Sequence, residues 1–249
     1  MVFYFCLVKL ISYPITAIYF FCFGLTLVVF HPIQWTCLKV FGYDAHKRSV
    51  SILNWFLMRC LNILGTRFTF RNKHNIPIDK PLIIISNHQS MYDIPPLIWN
   101  LRKHHPKFVS KKELGKGIPS ISFNLKYGGS VLINRKDAKQ SLREIAKLGK
   151  YIEENTRSAV IFPEGTRSRN GLPKPFKTKG LETIIENAPS ALLLPISINN
   201  SWKLLRYGKF PMGLGNHLTF DVHEPIVNSG NTEELIPRIE QIITSGIKV

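Results

Sequence analysis

Three short apolar runs, rich in β-branched residues, are each followed at once by polar residues, and this arrangement restricts the fold more than any other feature. The runs cover residues 81–86, 130–134 and 159–162. Such runs are typical of buried strands in a sheet whose two faces are covered by helices. Helical patterns lie between them, and residues 137–155 repeat apolar and basic positions at helical spacing. The alternation predicts an α/β fold with a largely parallel central sheet flanked by helices.

Further elements extend this prediction along the chain. Residues 67–71, 107–110 and 192–198 fit strands, and the alternating residues 217–222 are typical of an edge strand. Helices are predicted over 94–102 and 232–243. Because the carboxyl ends of parallel strands meet at one edge of a sheet, the polar groups that follow the strands are expected to converge there.

The first polar element contains His88 and Asp93, five positions apart. Five residues of helix rotate by roughly 140°, so the two side chains must straddle a turn to meet. Ser90 and Asp93 fit a capping box, a purely structural alternative. Pro95 and Pro96 favour Asp93 as the N-cap instead, because they then occupy the first helical turn, where a missing N–H costs little.

That assignment makes a prediction about the carboxylate. An N-cap side chain accepts from the second and third helical amides, and here both positions are prolines without an N–H. Asp93 is therefore expected to lack backbone donors and to be free to hold His88. We predict a His–Asp dyad in which Asp93 fixes the tautomer of His88 and His88 acts as general base on a hydroxyl.

Cationic and hydroxyl side chains follow the other strands. Arg135, taken alone, is more often a solvated arginine, but it shares the strand-end position of the dyad. Gly165 permits close approach of the backbone to a ligand, and Arg167 offers a planar fork suited to phosphate oxygens. The predicted substrate-binding residues are Lys112, Arg135, Glu164, Gly165, Thr166 and Arg167.

The net charge of +17 calls for an acidic partner, which can be nucleic acid, an anionic membrane or a phosphorylated substrate. Residues 102–179 contain 19 Lys and Arg against 6 Asp and Glu, so 13 of the 17 charges surround the motifs. The four cysteines lie within the first 60 residues at spacings that predict no metal site, disulfide or thiol nucleophile; they are Cys6, Cys22, Cys37 and Cys60.

The N-terminal segment is apolar. Residues 10–30 contain no charge, and about 20 such residues span a bilayer. A buried core helix is the alternative, and a signal peptide is disfavoured because no small-residue cleavage site follows. Residues 51–64, with Trp55 and Arg59, fit a helix in the membrane interface. We predict a membrane-associated helical hairpin over residues 1–64 and a domain over 65–249, on the cytoplasmic side because Lys39, Lys47 and Arg48 flank the segment.

Four motifs in this order resemble those of the lysophosphatidic acid acyltransferases, also called 1-acyl-sn-glycerol-3-phosphate acyltransferases. The resemblance covers about residues 65–225. Asn134 departs from it, since many members have aspartate before the arginine, and the departure concerns acceptor detail. The motifs are Asn87-His88-Gln89-Ser90-x-x-Asp93, the block from Lys112-Glu113-Leu114 to Arg135, Phe162-Pro163-Glu164-Gly165-Thr166-Arg167-Ser168, and Leu194-Pro195-Ile196.

The resemblance implies a reaction. His88 would be the catalytic base with Asp93 as its partner, while Arg135, Glu164, Gly165 and Arg167 would help bind a glycerol phosphate. The acyl group would pass from acyl-CoA or acyl-carrier protein to lysophosphatidic acid, giving phosphatidic acid, with no cofactor or metal, at a membrane expected to be the bacterial inner membrane.

Three alternatives remain open at this point. The acceptor can be another lysophospholipid or a lyso-aminolipid, or the dyad can activate water in a lipid hydrolase. The third alternative is not an enzyme but a membrane-tethered module that binds nucleic acid through a basic helix face. We do not expect nucleic acid to be the partner. That face contains Lys139, Arg143, Lys147 and Lys150.

Overall fold

The computed structural model describes residues 2–248, with the backbone alone for residues 2–7. One eight-stranded sheet has the order β1-β7-β6-β2-β5-β3-β4, with β8 paired to β6. All of its strand pairs are parallel except β6 with β7 and β6 with β8. The predicted α/β class with a largely parallel sheet is confirmed. The strands are β1 Arg67–Arg71, β2 Leu82–Ser86, β3 Pro106–Lys111, β4 Val131–Ile133, β5 Ser158–Ile161, β6 Leu192–Asn199, β7 His217–Val222 and β8 Ile226–Val227.

Helices cover both faces of the sheet. Ile84 on β2 packs among residues of the N-terminal helices, while Ile83 and Ile85 face the C-terminal helices. A strand buried on both sides has no polar face, which explains why its sequence is a continuous apolar run. The helices are α1 Val2–Val40, α2 Gly42–Ile63, α3 Ile94–Asn100, α4 Ile121–Tyr127, α5 Ala138–Asn155, α6 Thr178–Glu186 and α7 Thr232–Ser245.

The structure corrects the prediction for β7. It is an interior strand between β1 and β6, not an edge strand. Its alternation arises because one face of the β1–β7 pair is polar and partly exposed, where Arg71 and Asp221 form an ion pair at 2.6 Å. On the other face Phe70 stacks on Phe220. The sequence analysis also missed α4, α6 and β8, and α3 ends at Asn100, two residues before the predicted end.

Helices α1 and α2 form the predicted hairpin. The chain reverses at Gly42, whose φ of +81° suits glycine. The helices run antiparallel, since the ring of Phe30 packs against that of Phe56 and Thr26 lies against Cys60. A 33-residue part of α1, Val8–Val40, is long and apolar enough to cross a membrane, which indicates membrane association. Cys22, Cys37 and Cys60 are free thiols, and the side chain of Cys6 lies outside the described residues.

Candidate active site

The parallel strands bring the predicted elements to one edge of the sheet. His88 follows β2, and the segment from Glu164 to Arg167 follows the adjacent strand β5. Lys112 comes directly after β3 and Arg135 shortly after β4, the next two strands in the sheet. The site is therefore built from the carboxyl ends of four neighbouring strands, where open parallel sheets bind their ligands.

His88 and Asp93 are in direct contact. The imidazole Nδ1 lies 2.8 Å from Asp93 Oδ2, and the ring stacks on Phe162 at 4.1 Å between centroids. The carboxylate accepts the hydrogen on Nδ1, which leaves the lone pair on Nε2. Within the described residues Nε2 makes no hydrogen bond, and only 8% of His88 is exposed. The ring is thus fixed by a carboxylate and an aromatic face, with one basic nitrogen available.

The structure corrects our account of Asp93. Its Oδ2 accepts from the backbone amides of Gln89 at 2.8 Å and Ser90 at 2.9 Å, so the expected lack of backbone donors is wrong. The capping box that the prolines seemed to exclude is present, with Ser90 as the N-cap of a 3₁₀ turn over Met91–Asp93. Both caps coexist because this extra turn separates Ser90 from α3. Pro95 then lies in the first turn of α3, whose N-cap is Asp93 with no side-chain bond into its own helix.

Ser201 completes the surroundings of the carboxylate. Its hydroxyl donates to Asp93 Oδ1, so both oxygens are engaged. Asn87 bonds to the backbone of Ile198 through both side-chain atoms, at 2.7 and 2.8 Å, and Gln89 accepts from the Ser201 amide at 3.0 Å. These contacts tie the turn from Asn87 to Asp93 to β6 and to the segment after it. The sequence gives no local signal for Ser201, which lies 108 residues from Asp93.

Glu164 supports the turn from the other side. Its Oε1 accepts the amide of His88 at 3.0 Å, and only 2% of the residue is exposed. Burial raises the pKa of Glu164 to about 7, although the His88 amide and Lys174 act in the opposite direction. The amide of Ser168 donates to the His88 carbonyl at 2.7 Å. The loop after β5 therefore holds both backbone groups of His88. The predicted contact of Glu164 with a glycerol phosphate stays a prediction.

The next residues form the turn predicted for substrate binding. Gly165 has a φ of +70°, and its amide donates to the Phe162 carbonyl. The hydroxyl of Thr166 accepts from Lys174 Nζ at 2.9 Å, and the same ammonium reaches the carbonyl of Arg167. Thr166 and Arg167 are exposed. Lys174, which our sequence analysis did not single out, thus adds a cation to this turn.

Arg135 and Arg167 lie close enough to influence each other. Partial burial and the positive charge of Arg167 lower the pKa of Arg135, while Glu113 acts in the opposite direction. Both guanidinium groups are exposed, and the described residues offer neither of them an ion pair. Two neighbouring arginines without an ion pair, at the same edge of the sheet as His88, are suited to a dianionic ligand. Lys112 is exposed at the same edge, with no described contact to the others.

The fold and this edge define the class of protein. The sequence pattern of the acyltransferase family matches residues 67–199, and the chain belongs to that family. The resemblance inferred from the four motifs and the expectation of an acyltransferase are confirmed.

Relatives with established names agree with this class. The chain is 27% identical to the human 1-acyl-sn-glycerol-3-phosphate acyltransferase beta over 77% of this chain and 67% of that one. It is 28% identical to a 1-acyl-sn-glycerol-3-phosphate acyltransferase of Chlamydomonas reinhardtii, over 94% and 70%. A Helicobacter pylori enzyme of the same name is 38% identical over 50% of this chain and 54% of its own. The crystal structure of the 1-acyl-sn-glycerophosphate (LPA) acyltransferase PlsC from Thermotoga maritima has the same fold, with a TM-score of 0.77 at 24% identity over 93% and 92% of the two chains.

Proposed function

We propose that this protein transfers a fatty acyl group from an acyl thioester to the free hydroxyl of 1-acyl-sn-glycerol-3-phosphate, forming phosphatidic acid. The observation that carries the proposal is the His88–Asp93 contact, with Nε2 of His88 unengaged at the edge that holds Arg135 and Arg167. The names of the relatives support the choice of acceptor.

The reaction follows from the orientation of the imidazole. A glycerol hydroxyl does not ionise near neutral pH, so Nε2 of His88 takes its proton as the oxygen attacks the thioester carbonyl. Asp93, held by Gln89, Ser90 and Ser201, stabilises the imidazolium that forms. When the carbon–sulfur bond breaks, the imidazolium returns the proton to the leaving thiolate. The products are an ester and a thiol, and no covalent enzyme intermediate is needed.

The acceptor phosphate has a natural place in this arrangement. Arg135 and Arg167 supply two planar forks, and Lys112 adds an exposed ammonium at the same edge. We assign the phosphate of the acceptor to the two arginines, so that the free hydroxyl points towards His88. Because the acceptor is held beside the base, much of the entropic cost of bringing its hydroxyl to the thioester is removed. Gly165 keeps the turn before Arg167 compact, and its positive φ disfavours other residues there.

We propose that the hairpin holds this edge near a lipid surface. Thr16 of α1 accepts the Met212 amide at 3.0 Å, and His31 accepts the Ser120 amide at 3.1 Å. Fifteen residues of helix are about 22 Å long, so α1 is docked on the domain along much of its length. Its outer face exposes apolar residues, including Phe21, of which 70% is exposed. We propose that the hairpin lies in one leaflet, with the domain on the cytoplasmic side of a bacterial inner membrane.

A mass-spectrometric assay of the purified protein tests the reaction. Lysophosphatidic acid is offered with matched acyl-CoA and acyl-carrier-protein donors, beside a panel of other lysophospholipids and a reaction without acceptor. We expect phosphatidic acid as the main product. A faster reaction with one of the two donors identifies the class of acyl donor that the protein uses. Release of free fatty acid with or without acceptor would instead indicate a hydrolase, and preference for another lysolipid would replace the proposed substrate.

A further inference from the structure

A second cluster of ionisable side chains lies away from the active site, in a cleft between the start of α2 and the start of β3. It contains Tyr43, Lys47, His105, Lys107 and Arg157, which we call the cationic cleft. Lys107 aligns with Ala159, and Ala159 with Ile83, across neighbouring strands. Ile83 precedes His88 by five residues, which is about 16 Å along a strand. The cationic cleft is therefore at the opposite end of the sheet from the dyad.

The contacts in the cationic cleft fix the protonation of His105. Its Nε2 lies 2.7 Å from Lys47 Nζ and 3.2 Å from Arg157 Nη1. Lysine and arginine only donate, so Nε2 must accept, and the imidazole is neutral with its hydrogen on Nδ1. Burial together with Lys47 and Arg157 lowers the pKa of His105 to about 4, in agreement with this state. His105 therefore provides an acceptor but no counter-charge.

Lys107 is the most deeply placed cation of the cationic cleft. Only 5% of it is exposed, and its ammonium donates to the Tyr43 hydroxyl at 2.6 Å. Burial and the charges of Arg157 and Lys47 lower the pKa of Lys107 to about 7. Arg157 cannot shed its charge in the same way, because a guanidinium stays protonated in proteins. Among the described residues, no carboxylate forms an ion pair with Lys47, Lys107 or Arg157.

Donors outnumber acceptors around this cleft. Two further buried polar atoms, Nε of Arg157 and Nε2 of His46, have no partner within the described residues, and His46 lines the cleft. The cleft contains a void of about 20 Å³, which is room for one oxygen-sized atom. Arg102 also lines it. Lys107 is a buried cation without an ion pair, and Lys47 and Arg157 are half-buried, with Asp44 offsetting the charge on Lys47 only in part. A bound oxyanion would supply the missing counter-charge and accept from the free Nε–H of Arg157.

We propose that the cationic cleft binds a phosphate group, with one oxygen seated in the void that Lys47 and Lys107 line, and with Arg157 adding positive charge from beside His105. The group can be free phosphate or the headgroup of an acidic phospholipid, because both present the same oxygens. The exposed apolar residues Val40 and Phe41, of which 64% and 70% are exposed, directly precede the residues of α2 that line the cleft. A hairpin lying in a membrane surface would hold the cleft at the level of lipid phosphates.

Thermal unfolding of the full-length protein in detergent micelles tests the binding chemistry. Sodium phosphate is titrated against sodium chloride at equal ionic strength and neutral pH. We expect a saturable rise in Tm with phosphate, roughly 3–6 °C at ten times the dissociation constant, and none with chloride. In a background that carries Arg167→Gln, so that phosphate bound at the active site does not contribute, Lys47→Gln and Lys107→Met should each abolish the rise. Arg48→Gln, which removes the same charge from an exposed neighbour, should keep it.

Vesicle binding separates the two sources of phosphate. Wild type, Lys47→Gln and Arg48→Gln are mixed with phosphatidylcholine vesicles with and without phosphatidic acid. A several-fold loss of binding to the acidic vesicles in Lys47→Gln alone identifies a lipid headgroup, and equal binding by both variants identifies free phosphate. The proposal is overturned if phosphate stabilises no more than chloride, or if Lys107→Met and Lys47→Gln respond like the wild type. In that case Lys107 is neutral and the cleft needs no anion.

Discussion

His88 and His105 show how the same side chain acquires opposite properties from its neighbours. At His88 a carboxylate binds one ring nitrogen and leaves the other unengaged, whereas at His105 two cations point at one nitrogen and Tyr43 lies near the other. The first imidazole can take a proton and have its positive charge stabilised. The second cannot, because Lys47 and Arg157 already surround it with positive charge. Partners, and not the residue type, decide which histidine is suited to act as a base.

Removal of the base is the strongest test of this difference. We expect His88→Ala to lower kcat by roughly 10³–10⁵-fold, because it removes the imidazole nitrogen proposed to take the hydroxyl proton. The Tm should change little. His74→Ala, a histidine in the loop between β1 and β2, serves as the control and should retain full activity. Turnover in His88→Ala close to that of the wild type would remove the dyad from the mechanism.

The arginine pair should affect binding more than chemistry. Arg167→Gln replaces a charge-assisted contact worth roughly 1.5–3 kcal/mol, so we expect KM for lysophosphatidic acid to rise about 10–100-fold. The value of kcat should change much less, and Arg238→Gln on α7 should leave both constants unchanged. Steady-state kinetics with varied acceptor provide the measurement. An unaltered KM in Arg167→Gln would place the phosphate elsewhere.

Ser201 tests whether Asp93 needs its second support. Ser201→Ala removes the donor to Oδ1 and leaves the amides of Gln89 and Ser90 in place. A lost hydrogen bond to a charged group predicts a decrease in kcat of roughly 10-fold with KM for both substrates retained. Ser201→Thr, which keeps the hydroxyl, should recover part of the rate. Equal loss in both variants would mean that the site responds to packing rather than to the hydrogen bond.

Glu164 should affect the stability of the fold and its dependence on pH. Its pKa is about 7 in the folded protein against 4.5 for the free side chain, so ionisation is disfavoured by folding. Stability contributed by the neutral carboxyl is complete below pH 4.5 and is lost as the pH rises to about 7. Glu164→Gln should remove this slope, a difference on the order of 2 kcal/mol across the window. Denaturant unfolding at several pH values measures it, and parallel curves for the two proteins would contradict the assignment.

The sequence analysis predicted which edge of the sheet holds the candidate site, but it did not predict the contacts among the residues of that site. Apolar runs followed by His88, Arg135 and Glu164 were enough to predict convergence, because parallel strands share a direction. The prediction that Asp93 lacks backbone donors was wrong, because the positions of the prolines do not reveal the 3₁₀ turn between Ser90 and α3. The prediction of β7 as an edge strand was wrong because one face of the β1–β7 pair is polar, which produces the same alternation of polar and apolar residues as an edge strand. The assigned roles of the site residues stay predictions.

The sequence alone determined the class of fold, the family and the position of the dyad. Periodicity and short motifs are local properties, and they can be recognised without knowledge of distant contacts. Only the tertiary structure decided that Ser201 supports Asp93, that Glu164 holds the His88 amide, and that Lys47 and Arg157 meet at His105. These groups are separated by tens of residues along the chain. Their burial and charge partners depend on the packing of strands and helices, which no local pattern records.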